Sequence, residues 1–380
     1  MRWEETSYFR KKGLWRFDQQ FLAGGSLRNW IHLFRAYGGV DARYLARALY
    51  ITTITLASTP FRAYERARFD AQIAATEIQQ PPIFIVGHWR SGTTYVHQLM
   101  AQNPAFAIVN FVKTMIPELF LSGWIFRKIL EGSLPETRPM DNVRLSLDFV
   151  EEEEYALGNL GAYSFYHALS FPRRMREIFD RAVLFKGVAD EEITQWQQTY
   201  LYYLKKITFA SQGRRLLLKN PANTGRISVL LDMFPEAKFV HVCRNPYTVY
   251  SSTMHWLDKE MAPTALQNVD KCAIRENVLI NYEKLTKKYL EEKGLIPADN
   301  LVEVKYEEAE ADPWGEIERI YNAFDLSFDE QARAGVARYL ASIDDYQKNV
   351  YQLDAVALRE ITEAWGFAAR LWAYDPPPAQ

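Results

Sequence analysis

Four short apolar runs interrupt a chain whose apolar positions otherwise recur at helical spacing. Ile83–Val86 (IFIV), Arg215–Lys219 (RLLLK), Lys238–Cys243 (KFVHVC) and Leu301–Tyr306 (LVEVKY) are rich in β-branched and aliphatic residues. They are too short for stable helices, which predicts buried strands. Helical text lies between and after them. Tyr95, Val96, Leu99 and Met100 share a face within Thr93–Ala101, and similar spacing runs through Ile227–Phe234 and Trp314–Phe324. This alternation predicts an α/β fold, a P-loop-like three-layer arrangement with a mostly parallel central sheet and extra helices. Residues 1–80 read mainly as helix, with a start near Asp41 and a break at Pro60. Residues 107–212 show no clear strand and read as a helical insertion. The expected organisation is an N-terminal helical extension at 1–80, packed on or near the core. A main domain at 81–350 carries the insertion, and a C-terminal helix and tail occupy 351–380.

The loop after the first strand reads Gly87-His-Trp-Arg-Ser-Gly-Thr-Thr94. Two glycines allow sharp turns that bring backbone N–H groups close to an anion. Thr93 and Thr94 open a helix whose N-terminus carries partial positive charge. Ser91, Thr93 and Thr94 add hydroxyls, and Arg90 adds a permanent cation. The nucleotide-hydrolysing pattern G-x-x-x-x-G-K-S/T requires a lysine where Thr93 stands. No aspartate at a strand end offers itself to Mg²⁺ either. A sulfonate on a phosphosulfate carries less charge than a γ-phosphate, and fixed N–H groups, hydroxyls and one or two cations suffice for it. A second motif, RNPYTVYSS at 244–252, follows the third run. Arg244 at a strand end and Ser252 on the next helix form a clamp for one more phosphate. A 5′-phosphosulfate and a 3′-phosphate on one ligand describe 3′-phosphoadenosine 5′-phosphosulfate (PAPS).

On these residues the chain resembles the PAPS-dependent sulfotransferases, in their bacterial-type branch. That family's donor loop is commonly P-K/R-S-G-T-T, and here it reads W-R-S-G-T-T. Its 3′-phosphate motif, R-x-P-x-x-x-x-x-S, fits Arg244 to Ser252. The stretches 216–246 and 302–308 are similar to further family segments, so the likeness spans roughly residues 80–325. The resemblance implies that Arg90, Ser91, Gly92, Thr93 and Thr94 hold the 5′-phosphosulfate, and that Arg244 and Ser252 hold the 3′-phosphate. Two departures stand out. Trp89 replaces the usual proline, and the late R-K-G-x-x-G motif of the animal cytosolic enzymes is absent, with Lys348 as a candidate substitute.

Sulfonyl transfer needs a base for the acceptor hydroxyl. The family uses His or Glu, and the acidic run Glu151–Glu154 lies at a distance from the loop similar to that of the cytosolic branch's catalytic histidine. If 149–157 is helical, Val150, Glu153, Glu154 and Leu157 share a face, which favours Glu153 and Glu154. Resemblance to the branch's acidic segment favours Glu152 and Glu154. The competing reading is a solvated helix face. Lys219, ending the second run, either steadies the sulfonate or leaving phosphate or forms an ordinary salt bridge. Arg90 serves both donor binding and catalysis. Asn223 and Arg226 support the same region. His88, His97 and His167 are weaker base candidates, and His241 reads as buried structure.

Composition limits the remaining choices. The chain has 380 residues, 48% hydrophobic and 24% charged, with a formal net charge of −2. That is an ordinary globular balance and gives no sign of nucleic-acid binding. Two cysteines make neither a disulfide framework nor a zinc site, so a reducing compartment and no metal are expected. The N-terminal text lacks a secretory core, which points to the cytoplasm. Tyr44–Phe61 is too interrupted to span a bilayer, and reads either as a core-packed helix or as a peripheral membrane contact. Aromatic residues form 14% of the chain. They favour a small-molecule or lipid acceptor, a lipophilic alcohol such as a sterol or lipid, with NFVKTMIPELFLSGWIF (110–126) as candidate lining and a carbohydrate as the alternative. A kinase is the enzymatic rival. A peripheral membrane or binding protein with an inactive nucleotide fold is the rival of another class. No sequence feature specifies an oligomeric state.

Overall fold

The computed structural model describes residues 19–133, 146–344 and 353–377. Its centre is a five-stranded sheet of β1 (Ile83–Val86), β2 (Phe106–Ile108), β3 (Arg215–Lys219), β4 (Lys238–Cys243) and β5 (Leu301–Lys305). The order is β2-β3-β1-β4-β5, and every neighbouring pair is parallel. All four residues of β1 are buried, as a central parallel strand covered on both faces requires. Alternation then sorts them. Phe84 and Val86 join Leu216, Leu218 and Phe239 on one face. Ile83 and Ile85 join Leu217, Val240, Val242, Val302 and Val304 on the other, against Val96 and Leu99 of the helix Thr93–Met100.

This strand order positions the site. From β1 the chain crosses to β2 on one side, then returns through β3 and passes to β4 on the other. The carboxyl ends of β3, β1 and β4 lie side by side, with Ile85 paired to both Lys219 and Val240. Crevices outside strand ends at such a reversal are where open α/β sheets place ligands. Here they gather the loop 87–94, Lys219 and Arg244.

Three local expectations need correction. First, β2 (Phe106–Ile108) straddles the start of the stretch 107–212 read as strandless. It is three residues long and takes its pairing from β3, so no pattern of its own announces it. Second, the acidic run does not begin a helix at 149. Val150 bridges Asn110, and the Glu151 N–H donates to the Val109 carbonyl at 2.9 Å. That extended pairing delays the helix to Glu153–Leu160, with Glu152 at its N-cap. Third, Tyr44–Phe61 is not one helix but parts of two, Leu45–Ala57 and Thr59–Ala75, which meet at the break read near Pro60; the proline lies in the first turn of the second, where its missing N–H costs nothing.

The helix Leu45–Ala57 buries Arg47, Ile51 and Thr55, one residue per turn. Arg47 donates to the Ala265 carbonyl at 2.7 Å and the Ala262 carbonyl at 2.9 Å, which ties these early helices to the end of the long helix Pro246–Thr264. Among the described residues no helix is long and apolar enough to cross a membrane.

Candidate active site

The loop after β1 is held in a shape that only part of the residue alphabet tolerates. Gly87 has φ +139°, and a Cβ there would lie 2.3 Å from the Val242 carbonyl oxygen. Gly92 has φ +96°, and a Cβ would lie 2.1 Å from the Tyr306 ring. Arg90 also takes a left-handed φ of 68°, an unusual state for a non-glycine residue. Thr224 closes the base of the loop: its hydroxyl accepts the Gly87 N–H at 2.7 Å and donates to the Gly87 carbonyl at 3.1 Å.

Two contacts join the two motifs. The Arg90 Nε donates to the Ser252 hydroxyl at 3.0 Å, and the Arg244 guanidinium donates to the Arg90 carbonyl at 3.3 Å. Residues far apart in the chain thus meet at one strand-end crevice. Arg244 also stacks over Tyr306, 4.1 Å from the ring centre, a cation–π contact that fixes the guanidinium plane. The Ser91 hydroxyl is buried and makes no hydrogen bond among the described residues. An orphaned donor in a glycine-turned loop, beside two arginines, fits an anionic group.

On the other flank Lys219 is 2% exposed. Its Nζ donates to the Thr94 hydroxyl at 3.3 Å and to Glu152 Oε1 at 2.6 Å. The second oxygen of Glu152 accepts from the Tyr166 hydroxyl. Glu152 keeps 13% of its side chain exposed, so it lies at the edge of the crevice with a cation on one side and water on the other.

Its two neighbours face inward. Glu154 is fully enclosed and clamped by Arg226 at 2.8 and 3.0 Å, by the Asn220 amide at 2.7 Å and by the Phe165 N–H at 2.7 Å. Burial pushes this carboxyl up, but the Arg226 charge and these donors outweigh it and hold it below the ordinary carboxylate value. Glu153 has no cation of its own. It accepts from the Tyr200 hydroxyl at 2.8 Å and the Asn223 amide at 3.1 Å, and burial raises its carboxyl to about 7. The solvated-face reading therefore does not describe Glu153 and Glu154, each of which is 0% exposed.

The structure brings together Arg90, Ser252 and Arg244 on one side of the loop, and Thr94, Lys219 and Glu152 on the other. His88 belongs to the loop itself, but no hydrogen bond among the described residues joins it, His97, His167 or His241 to these six. His88 turns its ring to Tyr282, 4.8 Å away, and burial lowers it to about 4. His97 is enclosed, and burial with the Lys219 charge holds it well below its usual value. His167 contacts the Gly158 carbonyl at 2.9 Å, and His241 stacks on Tyr289 at 3.7 Å. Lys348 lies outside the described residues. The segment 110–126 contributes Val112, Ile116 and Leu119 to a separate small cluster with Leu147. Tyr166, whose hydroxyl meets Glu152, comes from another segment and lies in a group of rings: Tyr155 lies 4.2 Å from Tyr166, and Trp89 lies 4.5 Å from Phe165 and stacks on Trp256 at 6.4 Å. Tyr166, Tyr306 and Thr224 were not singled out in the sequence. Only Tyr306 carries a signal, its place as the last residue of the predicted run Leu301–Tyr306, of which the strand itself takes Leu301–Lys305.

Comparison with known proteins agrees with this architecture. The sequence profile described as the sulfotransferase family matches residues 81–330, and the chain belongs to that family. It is 31% identical over 336 residues to omega-hydroxy-beta-dihydromenaquinone-9 sulfotransferase Stf3 of Mycobacterium bovis and of Mycobacterium tuberculosis, covering 88% of this chain and 86% of the relative. Among solved structures, sulfotransferase STF1 of M. tuberculosis aligns with a TM-score of 0.65 at 16% identity, over 93% of this chain and 94% of that one. Sulfotransferase STF9 of Mycobacterium avium aligns with a TM-score of 0.64 at 16% identity, over 93% and 97%. These structural likenesses establish the shared α/β fold.

Proposed function

We propose that this protein moves a sulfonate from PAPS to the hydroxyl of a lipophilic alcohol, with Glu152 as the base. The observation that carries the reading is the Arg90–Ser252 contact, which joins the loop and the second motif into one anion-binding crevice. Ser91, Gly92, Thr93, Thr94 and Arg90 surround the 5′-phosphosulfate, and Arg244 and Ser252 hold the 3′-phosphate. The bound donor supplies the sulfonate and leaves as 3′-phosphoadenosine 5′-phosphate (PAP).

Of the three adjacent glutamates, Glu152 suits the proton transfer best. Glu154 is neutralised by Arg226, and Glu153 sits behind Tyr200 and Asn223. Glu152 borders the crevice and shares Lys219 with the loop hydroxyl of Thr94. As the acceptor oxygen bonds to sulfur, its proton passes to the Glu152 carboxylate, and the sulfur–oxygen bond to the phosphate breaks. The electron pair leaves on that phosphate oxygen, whose negative charge Lys219 and Arg90 stabilise. The 2.6 Å contact with Lys219 aims the Glu152 carboxylate before the acceptor arrives.

Two observations favour a lipophilic acceptor. Trp89, Phe165, Tyr166 and Trp256 form an apolar cluster adjoining Glu152 and the loop. The name of the Stf3 relatives gives them an omega-hydroxylated dihydromenaquinone, a lipid alcohol. The test is to incubate the protein with PAPS and matched sets of prenyl or alkyl alcohols, sterols and sugars, and follow PAP release with mass spectrometry of the product. Sulfated long-chain alcohols with sugars inert are the expected result. Turnover on sugars alone overturns the acceptor class, and PAP release without any sulfated product overturns the transfer.

A further inference from the structure

The early helices and one later helix expose apolar side chains that the core does not use. Eight of the fourteen large apolar side chains exposed among the described residues lie on Leu45–Ala57, Thr59–Ala75 and Trp124–Ser133. On the first, Leu45, Leu49 and Leu56 project within one narrow arc at 100° per residue, opposite the buried Arg47, Ile51 and Thr55. On the second, Phe61 and Tyr64 are exposed, and on the third, Trp124, Ile125 and Ile129. The helices adjoin. Phe61 meets Phe126 edge-on with ring centres 5.3 Å apart, and Thr52, beside the leucine arc, receives the Trp30 indole N–H at 2.9 Å from the helix Leu27–Ala36.

Charge separates this region from the rest of the molecule. The four helices contain eight Arg or Lys against three Asp or Glu, while the whole chain has a formal net charge of −2. One of the three acids, Glu65, is buried against Lys206 at 2.5 Å, and two of the eight bases, Arg47 and Arg62, are buried as well, which leaves six bases against two acids toward the outside. Arg28, Arg35, Arg68 and Lys128 are exposed, and the Lys128 ammonium lies 5.2 Å over the Trp124 ring. Tryptophan and leucine that enter the acyl boundary, beside arginine and lysine that reach phosphate headgroups, make the composition of an interfacial membrane surface.

We infer that these helices form a docking face for an anionic lipid bilayer. Local basic charge in a mildly acidic molecule selects the lipid surface over a second copy of the chain, since two such faces would repel when brought together. The inference does not require the donor site, because vesicle binding needs no turnover.

The test uses the full chain and extruded vesicles of phosphatidylcholine with phosphatidylglycerol, against vesicles of phosphatidylcholine alone, read by flotation. The wild type is expected to float with the anionic vesicles, less so as salt rises. Leu49→Asp, Trp124→Asp and Ile129→Asp should each weaken this about tenfold or more, because each removes a buried apolar anchor. Leu295→Asp, at an exposed apolar position on the separate segment Lys293–Leu295, should leave flotation unchanged. Unchanged melting temperatures confirm that the variants are folded. No flotation, or flotation that the three variants do not reduce, overturns the proposal. So does light scattering that shows a wild-type dimer dissolved by these variants, which would assign the face to a second copy.

Discussion

At the scale of single residues, three consecutive glutamates have three different environments. Glu152 has a cation and the crevice edge, Glu153 has a phenol and an amide, and Glu154 has an arginine fork. The proposal of Glu152 as the base rests on this contrast. Glu152→Gln should cut turnover by about 10²–10⁴ through loss of the proton acceptor while leaving PAP affinity within a few-fold, checked by kinetics beside calorimetry. An equal loss of donor affinity would make Glu152 a donor-site residue instead. Glu153 is predicted to act on stability. Its carboxyl titrates near 7 in the folded chain against an ordinary 4.5, so the folded state holds a proton that the unfolded state has released. That contribution is fully present below pH 4.5, declines as pH rises toward 7, and stays lost above. Glu153→Gln removes this slope, so melting curves should show the variant gaining on the wild type at pH 8 relative to pH 5. A gain that is the same at both values would contradict the raised titration.

At the scale of elements, four of the five strands and the order of the two anion motifs were legible in the sequence. A buried parallel strand must be apolar, which announces IFIV and the mostly apolar RLLLK and KFVHVC, whereas LVEVKY, at the sheet edge, announces itself by alternation, with Glu303 exposed. The phosphate-type loop between strand and helix was legible for the same reason: glycine at Gly87 and Gly92 answers steric demands that few other residues meet. What stayed hidden depends on partners distant in the chain. β2 is defined by β3, and the helix at Glu153 starts late because Val150 and Glu151 are engaged by Asn110 and Val109. No local period encodes such pairing. The inward turn of Glu154 likewise depends on Arg226, which also donates to the Ala182 carbonyl at 2.9 and 2.6 Å. This fork locks the start of the helix Glu153–Leu160 to the segment after β3. Glu154→Ala strands a buried guanidinium and should cost about 3–5 kcal/mol in denaturant unfolding. A loss under about 1 kcal/mol would mean the pair is structurally idle.

At the scale of the whole molecule, the parallel sheet order explains how motifs at 87–94, 219 and 244–252 become one site, because β3, β1 and β4 are neighbours and end together. The crevice proposed for the donor lies at that end, and the basic, apolar face is built from helices outside the sheet. If the acceptor is a lipid, such a face would place the enzyme where its substrate resides. The central claim is that the two motifs grip opposite ends of one nucleotide, and calorimetric titration with PAP beside AMP tests it most directly. The account predicts binding to PAP that AMP cannot match, weakened about tenfold to a hundredfold by Arg244→Ala through loss of a charge-assisted contact. Equal affinity for PAP and AMP, or an Arg244→Ala variant that binds PAP as well as the wild type does, would contradict it.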